Sequence, residues 1–349
     1  MAQRIEYIDA MRGFTMILVV LSHIIIFSFG NEGSGYSSSF NSFFILFRMP
    51  LFFFISGFLF YKDSYSQSCN EYIPIIKKKF MIQIVSTLIF MVLYSYLFDY
   101  NFWIDGFFYN SYKLGYWFTI VLFEYFIIFL ILSYFDVFIG KRIFTNTYSL
   151  IIFALFLRIL SSYKFLEYVG FNEEIANFFS INQLKYFIFF SLGTIVKRYF
   201  DEFIRIIQNK YISSIILSSF FLLSLVFIKE NRFNSLITEQ IGIVFIGILG
   251  ILAIFSVFYV YKNQFQNNTF VGKSLQFIGK RTLDIYLLHY FFIPRNLQSI
   301  STQLNLTSNP SIEFLVAIIL SVYIIMLCLI ISSIIRTSPI LAHLMFGVK

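Results

Sequence analysis

Apolar residues in this chain come in blocks of 15–24, longer than a strand and without a strand's alternation. Ten such blocks can be drawn, over residues 13–30, 43–61, 80–98, 116–133, 148–162, 182–196, 211–228, 240–261, 282–296 and 312–335. In hydrocarbon every backbone N–H and C=O must find a partner inside the protein, which leaves helices and closed barrels as the only spanning forms. Block length and the missing period of two select helices. The pattern predicts an all-α, polytopic transmembrane helix bundle of about ten spans. The fifth, sixth and ninth blocks are short and carry polar residues, as spans lining a cavity often do.

Charge placement adds an orientation. With the N-terminus inside, the inner segments hold 18 of the Lys and Arg residues and the outer loops only five, Lys113, Lys164, Lys229, Arg232 and Arg295. Arg48, Arg158 and Lys185 fall within blocks. Such a bias sets topology, and an even span count puts both termini in the cytoplasm. The net charge of +8 follows from this dispersed arrangement, and no nucleic-acid module is expected from it. Only 13% of residues are charged, so nearly all of the chain, 1–349, reads as one membrane domain, with no appended soluble domain expected before it ends at Lys349. Cys69 and Cys328 make no disulfide framework, and no metal-ligand cluster is visible. The first block is too long for a signal peptide and lacks a small-residue cleavage site before the polar loop at 31–41. Asn305-Leu306-Thr307 fits a glycosylation acceptor pattern, a tripeptide that also arises by chance.

The ionisable residues inside the blocks carry the candidate chemistry. His23 lies eleven positions after Arg12. Eleven helical steps return to within about 20° of the same face and advance about 16 Å. One stripe thus holds a cation at the membrane edge and an imidazole within the bilayer. Arg48, two positions before Pro50, and Glu124 fall at a similar depth on two other blocks. Intramembrane charges are costly, so their convergence on a polar cavity is one expectation. A purely structural Arg48–Glu124 ion pair, or a His23 bonded to a neighbouring helix, is the other. Toward the cytoplasm, Asp9 and Arg12 are an i, i+3 pair, Lys77-Lys78-Lys79 opens the third block and Lys280-Arg281 the ninth. Such clusters anchor helix ends among headgroups, or, converging, bind phosphates. His289, about 12 Å beyond Arg281, reads equally as a ligand contact or a helix–helix hydrogen bond. Arg158 needs an internal partner that the sequence does not name.

At these residues the chain resembles the membrane-bound acyltransferase family 3, which acylates extracytoplasmic glycans. Arg12 and His23 meet the family's Arg-x10-His signature within Asp9-Ala10-Met11-Arg12-Gly13. The segment from Arg48-Met49-Pro50 to Ser56-Gly57-Phe58 resembles its second-helix motif, and Tyr116-Trp117-Phe118 its Trp-Phe motif. Gly279-Lys280-Arg281-Thr282-Leu283-Asp284-Ile285-Tyr286-Leu287-Leu288-His289 resembles its late Gly-x-x-Ser-Leu-x-x-Tyr-Leu-x-His motif. One departure stands out. Where the family often has arginines followed by a proline, this chain has Lys77, Lys78 and Lys79, and residues 81–90 contain no Pro. Lysine offers a point charge where arginine offers a planar fork.

The resemblance implies an O-acyltransferase of the cell (inner) membrane. The donor is acyl-coenzyme A, most often acetyl-coenzyme A, taken as a co-substrate, with no bound cofactor. The acceptor is a hydroxyl of a cell-surface glycan or lipid-linked sugar. It assigns His23 as general base or acyl carrier, with Arg48 as oxyanion stabiliser and Glu124 as a lesser catalytic candidate. Asp9, Arg12, Lys77, Lys78, Lys79, Lys280 and Arg281 become donor-binding candidates, and Trp117 and His289 substrate-site candidates. A transporter or glycan flippase also fits ten spans with buried charges, although it usually shows internal repeats. A sensory membrane protein with His23 as a pH-responsive element is a third reading. The charge asymmetry makes a direct prediction: reporter fusions at Ser37 and at Lys349 report opposite sides, outer and inner respectively. Two reporters on the same side would mean that the spans are miscounted.

Overall fold

The computed structural model describes residues 5–29, 38–66, 68–229, 236–295 and 309–347, together with 297, 301, 303 and 306. The reporter sites Ser37 and Lys349, most of the 31–41 loop, and Asn305 and Thr307 lie outside the described residues. Among the described residues every regular element is helical. In chain order these are α1 (Glu6–Ile24), α2 (Ser39–Ile45), α3 (Arg48–Phe60), α4 (Tyr72–Lys79), α5 (Ser86–Leu97), α6 (Trp117–Ile139), α7 (Thr147–Leu160), α8 (Tyr163–Tyr168) and α9 (Glu173–Phe178). There follow α10 (Phe187–Arg198), α11 (Phe200–Ile207), α12 (Lys210–Lys229), α13 (Leu236–Val260), α14 (Phe270–Lys280), α15 (Thr282–Leu288), α16 (Pro310–Ile335) and α17 (Pro339–Phe346). Wider π-helical turns continue α1 at Ile25–Phe29 and join α4 to α5 at Phe80–Val85.

Seven helical segments among the described residues are long and apolar enough to cross a membrane: Glu6–Phe29, Phe40–Phe60, Tyr72–Leu97, Trp117–Ile139, Lys210–Lys229, Ile241–Val260 and Pro310–Ile335. The three short blocks of the sequence fold as shorter pieces. Block 148–162 is α7, with 14 residues. Block 182–196 is a 3-10 turn at Ile181–Tyr186 followed by α10, with 12. Block 282–296 is α15, with seven, and a 3-10 turn at His289–Phe291. At 1.5 Å per residue, even α7 rises about 21 Å, less than the roughly 30 Å of hydrocarbon. Polar residues such as Asn182, Gln183 and Arg281 sit where these pieces begin.

The ends of the helices follow from local chemistry. The hydroxyl of Thr269 accepts from Gly272 N at 3.0 Å and starts α14. Asn146 Oδ1 accepts from Ser149 N at 2.9 Å and starts α7. Gly140, with φ 71°, takes the left-handed conformation that ends α6. The C-terminal helix α17 opens with Ser338 as cap and Pro339 in its first turn, where a missing N–H costs nothing.

The chain divides into two compact units, each described by itself. Unit 1 comprises residues 1–52 and 201–332, and unit 2 residues 53–200 and 333–349. In unit 1, α1 meets α14 backbone to backbone. A Cβ placed on Gly13 would lie 2.0 Å from the carbonyl oxygen of Leu275, and one on Gly279 would lie 1.9 Å from that of Asp9. Only glycine permits this approach. Within apolar surroundings such small-residue contacts substitute close van der Waals packing for a hydrophobic driving force. Unit 2 uses the same device between residues 53–60 and α10, where a Cβ on Gly57 would meet Phe190 O at 2.1 Å. Around that crossing the rings of Phe60 and Phe126 stack at 4.2 Å, and Tyr125 stands edge-on to Phe187 at 5.3 Å.

Gly13→Ala is expected to destabilise the folded protein by about 1–3 kcal/mol through overpacking. Gly106→Ala, which meets only the flexible Met91 Cε at 3.3 Å, should stay within about 0.5 kcal/mol of the parent. Equilibrium unfolding in detergent micelles compares the two. Equal shifts would remove the α1–α14 approach as a structural constraint.

Candidate active site

In unit 1 the glycine contact brings the two motif-bearing segments side by side. The register places Arg12 against the start of α15, and its Nη2 donates to Thr282 Oγ1 at 2.9 Å. Asp9, one turn earlier, lies 3.7 Å from the Arg12 guanidinium. Thr282 is available because the helix breaks at Arg281, whose backbone (φ −112°, ψ 18°) separates α14 from α15. The Arg281 side chain is held in turn. Its Nη1 donates to Asp284 Oδ2 at 3.3 Å and to Ser332 Oγ at 2.9 Å, while the Ser332 hydroxyl donates to Asp284. Lys280 is exposed at the same end. Asp9, Arg12, Lys280 and Arg281 therefore gather where α1 meets α14 and α15.

Farther along α1, His23 meets His289. Their rings are stacked with centroids 5.1 Å apart, and His23 Nδ1 lies 2.8 Å from His289 Nε2. The tautomers follow from the next contact. His289 Nδ1 lies 3.0 Å from the carbonyl oxygen of Ile285, which can only accept. His289 therefore carries its proton on Nδ1, and its bare Nε2 accepts from His23 Nδ1–H. This leaves the lone pair of His23 on Nε2. The Tyr290 hydroxyl lies 3.4 Å from that nitrogen. His289 is fully buried and Arg48 is 8% exposed. Arg48 lies within electrostatic reach of both His23 and Tyr290. The π-helical turn at Ile25–Phe29 begins two residues after His23, and such turns recur at functional sites.

The Nδ1–H of one imidazole is thus held by a second imidazole, itself held by a backbone carbonyl, a geometry able to position a base. Of the two sequence readings of His289, the structure shows the helix–helix hydrogen bond, and its partner is His23. Tyr290 was missed by sequence reasoning, although it follows His289 directly. Asp284 and Ser332 were missed as holders of Arg281. The i, i+3 spacing of Arg281 and Asp284 was a usable signal, whereas nothing in the sequence links either to Ser332.

The remaining candidates lie in unit 2. Trp117 is buried, stacked on Tyr186 at 5.8 Å and edge-on to the exposed Tyr112 at 6.2 Å. Glu124, about two turns further along α6, has Lys113 as its electrostatic partner, and its Oε2 is shut off from solvent with no hydrogen-bond donor among the described residues. Lys113, counted in the sequence as an outer-loop charge, is fully buried. Its ammonium donates to Phe107 O at 3.0 Å and to Asn177 O, and so ties the π-helical turn at Ile104–Phe108 to α9. Arg158 finds the internal partner it needs in the carbonyl of Lys185, at 3.3 Å. Lys79 lies over the Phe126 ring at 4.3 Å, whereas Lys77 and Lys78 are exposed and open to a phosphate or a lipid headgroup.

The family model for acyltransferase family 3, described as an acyltransferase domain, matches residues 5–331, nearly the whole chain. No curated protein and no solved structure matches it.

Lys113 gives a pH signature that does not depend on any reaction. Burial pulls its ammonium down from 10.5 to about 8, with the attraction of Glu124 acting the other way. Between these values the unfolded chain holds a proton that the folded chain has released, so this residue makes stability rise as pH goes from 8 to 10.5. Lys113→Met is expected to flatten that rise relative to the parent protein in denaturant titrations across the range. An unchanged pH dependence would show that Lys113 titrates as a solvated lysine.

Proposed function

The chain belongs to acyltransferase family 3, and we propose that it moves an acyl group, acetyl by preference, from cytoplasmic acyl-coenzyme A to a hydroxyl of an extracytoplasmic or lipid-linked glycan. In this reading it is a multi-pass protein of the cell membrane, with both termini in the cytoplasm. The observation that carries it is the His23–His289 relay on the same helix as Arg12. The donor's phosphates bind the guanidinium of Arg12 with Lys280 and Arg281, the charge-assisted contacts that phosphate favours. The pantetheine arm follows α1, whose Arg12-to-His23 rise of about 16 Å is comparable to that arm when extended.

The acceptor hydroxyl gives its proton to His23 Nε2 as its oxygen attacks the thioester carbonyl. The positive charge that forms on His23 is stabilised through Nδ1–H donated to His289. Arg48 stabilises the tetrahedral oxyanion as a cation held out of water. Collapse breaks the carbon–sulfur bond, and the coenzyme A thiolate takes the proton from His23. Proton transfer of this kind contributes about 10²–10⁴-fold. Lipopolysaccharide, capsule, peptidoglycan and lipid-linked intermediates all offer suitable hydroxyls.

The first test is mass spectrometry of surface glycans from cells with and without the gene, where a difference of one acyl unit is expected. Complementing variants separate the roles. His23→Ala should bind acyl-coenzyme A normally by calorimetry but transfer nothing. His289→Ala should lose about 10²-fold in turnover or more with donor affinity kept, and Arg12→Ala should lose donor affinity. Near-normal turnover in His23→Ala would reduce the histidine pair to a helix–helix contact, and an unaltered glycan in the deletion strain would favour a transport role instead.

A further inference from the structure

Unit 2 contains a second concentration of polar groups that the His23 chemistry does not use. It lies where the loop before α6 meets the turn between α9 and α10. Gln183 is 1% exposed, yet its Oε1 has no hydrogen-bond donor among the described residues. The same holds for Asn182 Oδ1 beside it and for Glu124 Oε2. One contact links the two elements that bear them: the hydroxyl of Tyr125, next to Glu124, donates to the backbone carbonyl of Gln183 at 2.6 Å. A buried acceptor left unmet is costly, so three in one region call for donors supplied from outside the chain.

The backbone here is also held in costly conformations. Lys113 and Leu114 have φ of 52° and 53°, and Ser180 has 49°. Left-handed backbone is unfavourable for side chains such as leucine and persists where the surroundings enforce it. The enforcing contacts are visible. Lys113 clamps the Phe107 and Asn177 carbonyls, and the Ser180 hydroxyl donates to Ser111 O at 3.3 Å. Unit 2 thus fixes two strained turns and leaves acceptors beside them without donors, next to the stacked rings of Trp117 and Tyr186.

We propose that Glu124, Asn182 and Gln183 form a binding subsite for the hydroxyl groups of a sugar, with Trp117 and Tyr186 as its aromatic wall. A sugar ring presents several O–H donors on one small molecule, which is what three acceptor oxygens require. Three acceptor oxygens are met by a ligand rich in O–H donors, whereas an apolar ligand would leave all three unmet. Identifying the sugar as part of the acceptor glycan rests on the acyltransferase reading, whereas the binding itself does not.

The test uses the full chain in detergent or nanodiscs. The protein has two tryptophans, so Trp103→Phe leaves Trp117 as sole reporter. Methyl glycosides of glucose, galactose, mannose, rhamnose and N-acetylglucosamine are titrated from millimolar to about 100 mM, the range of weak single-ring binding. At least one is expected to change Trp117 emission saturably. In the same background, Gln183→Leu and, separately, Asn182→Leu should weaken that response about tenfold or more, with thermal stability monitored for each. No response to any glycoside, or a response that neither substitution weakens, overturns the proposal and leaves water as the missing donor. Acyl transfer by the His23→Ala variant is measured alongside. Glycoside binding together with transfer that survives His23→Ala would sink the catalytic reading and keep this one. Transfer that depends on His23 without any glycoside response would do the reverse.

Discussion

The backbone approach of α1 to α14 is the constraint from which the site in unit 1 follows. Two glycines, Gly13 and Gly279, let each helix rest on a carbonyl of the other. That contact fixes the register, and the register decides what every later residue on α1 faces. Arg12 falls opposite Thr282, and three helical turns on His23 falls opposite His289. A slip of one helical turn, about 5.4 Å, would undo both pairings at once. The late motif is therefore one structural device: a glycine for contact, a break at Arg281, a hydroxyl for Arg12, and a histidine for His23.

The break at Arg281 has its own logic. A continuous helix would carry Thr282 and His289 on faces set by a single axis. Interrupting it at Arg281 gives α15 a fresh start, and Asp284 in its first turn complements the positive end of that short helix. The same carboxylate holds Arg281 through a bond shared with Ser332 of α16. A residue at the break is in this way tied to a helix that begins about thirty residues later.

Much of unit 1's site was legible because it is helical and local. The period of 3.6 is enough to put Arg12 and His23 on one stripe, and the i, i+3 spacing is enough for Asp9 with Arg12. What was not legible depends on tertiary contact. His289 and His23 are 266 positions apart, and no periodicity relates them. Lys113 shows the limit more sharply. Counting charges along loops treats it as a solvated marker of topology, whereas in the fold its ammonium is buried among backbone carbonyls, and carbonyls leave no trace in a sequence. The short blocks were readable as atypical from their polar residues, but only the fold shows that α7, α10 and α15 stop short of a hydrocarbon thickness.

The separation of the two histidines also has a consequence for synthesis. A ribosome adding about 5–20 residues per second needs on the order of 10–50 s to cover the 266 positions between them. During that time α1 has already left the tunnel. Its imidazole has no partner and its glycine-lined face has no α14 to rest on. A nascent chain of this protein thus carries an incomplete helix surface through most of its translation. The contacts of α1 with residues 270–289 thus form only after most of the chain has been made.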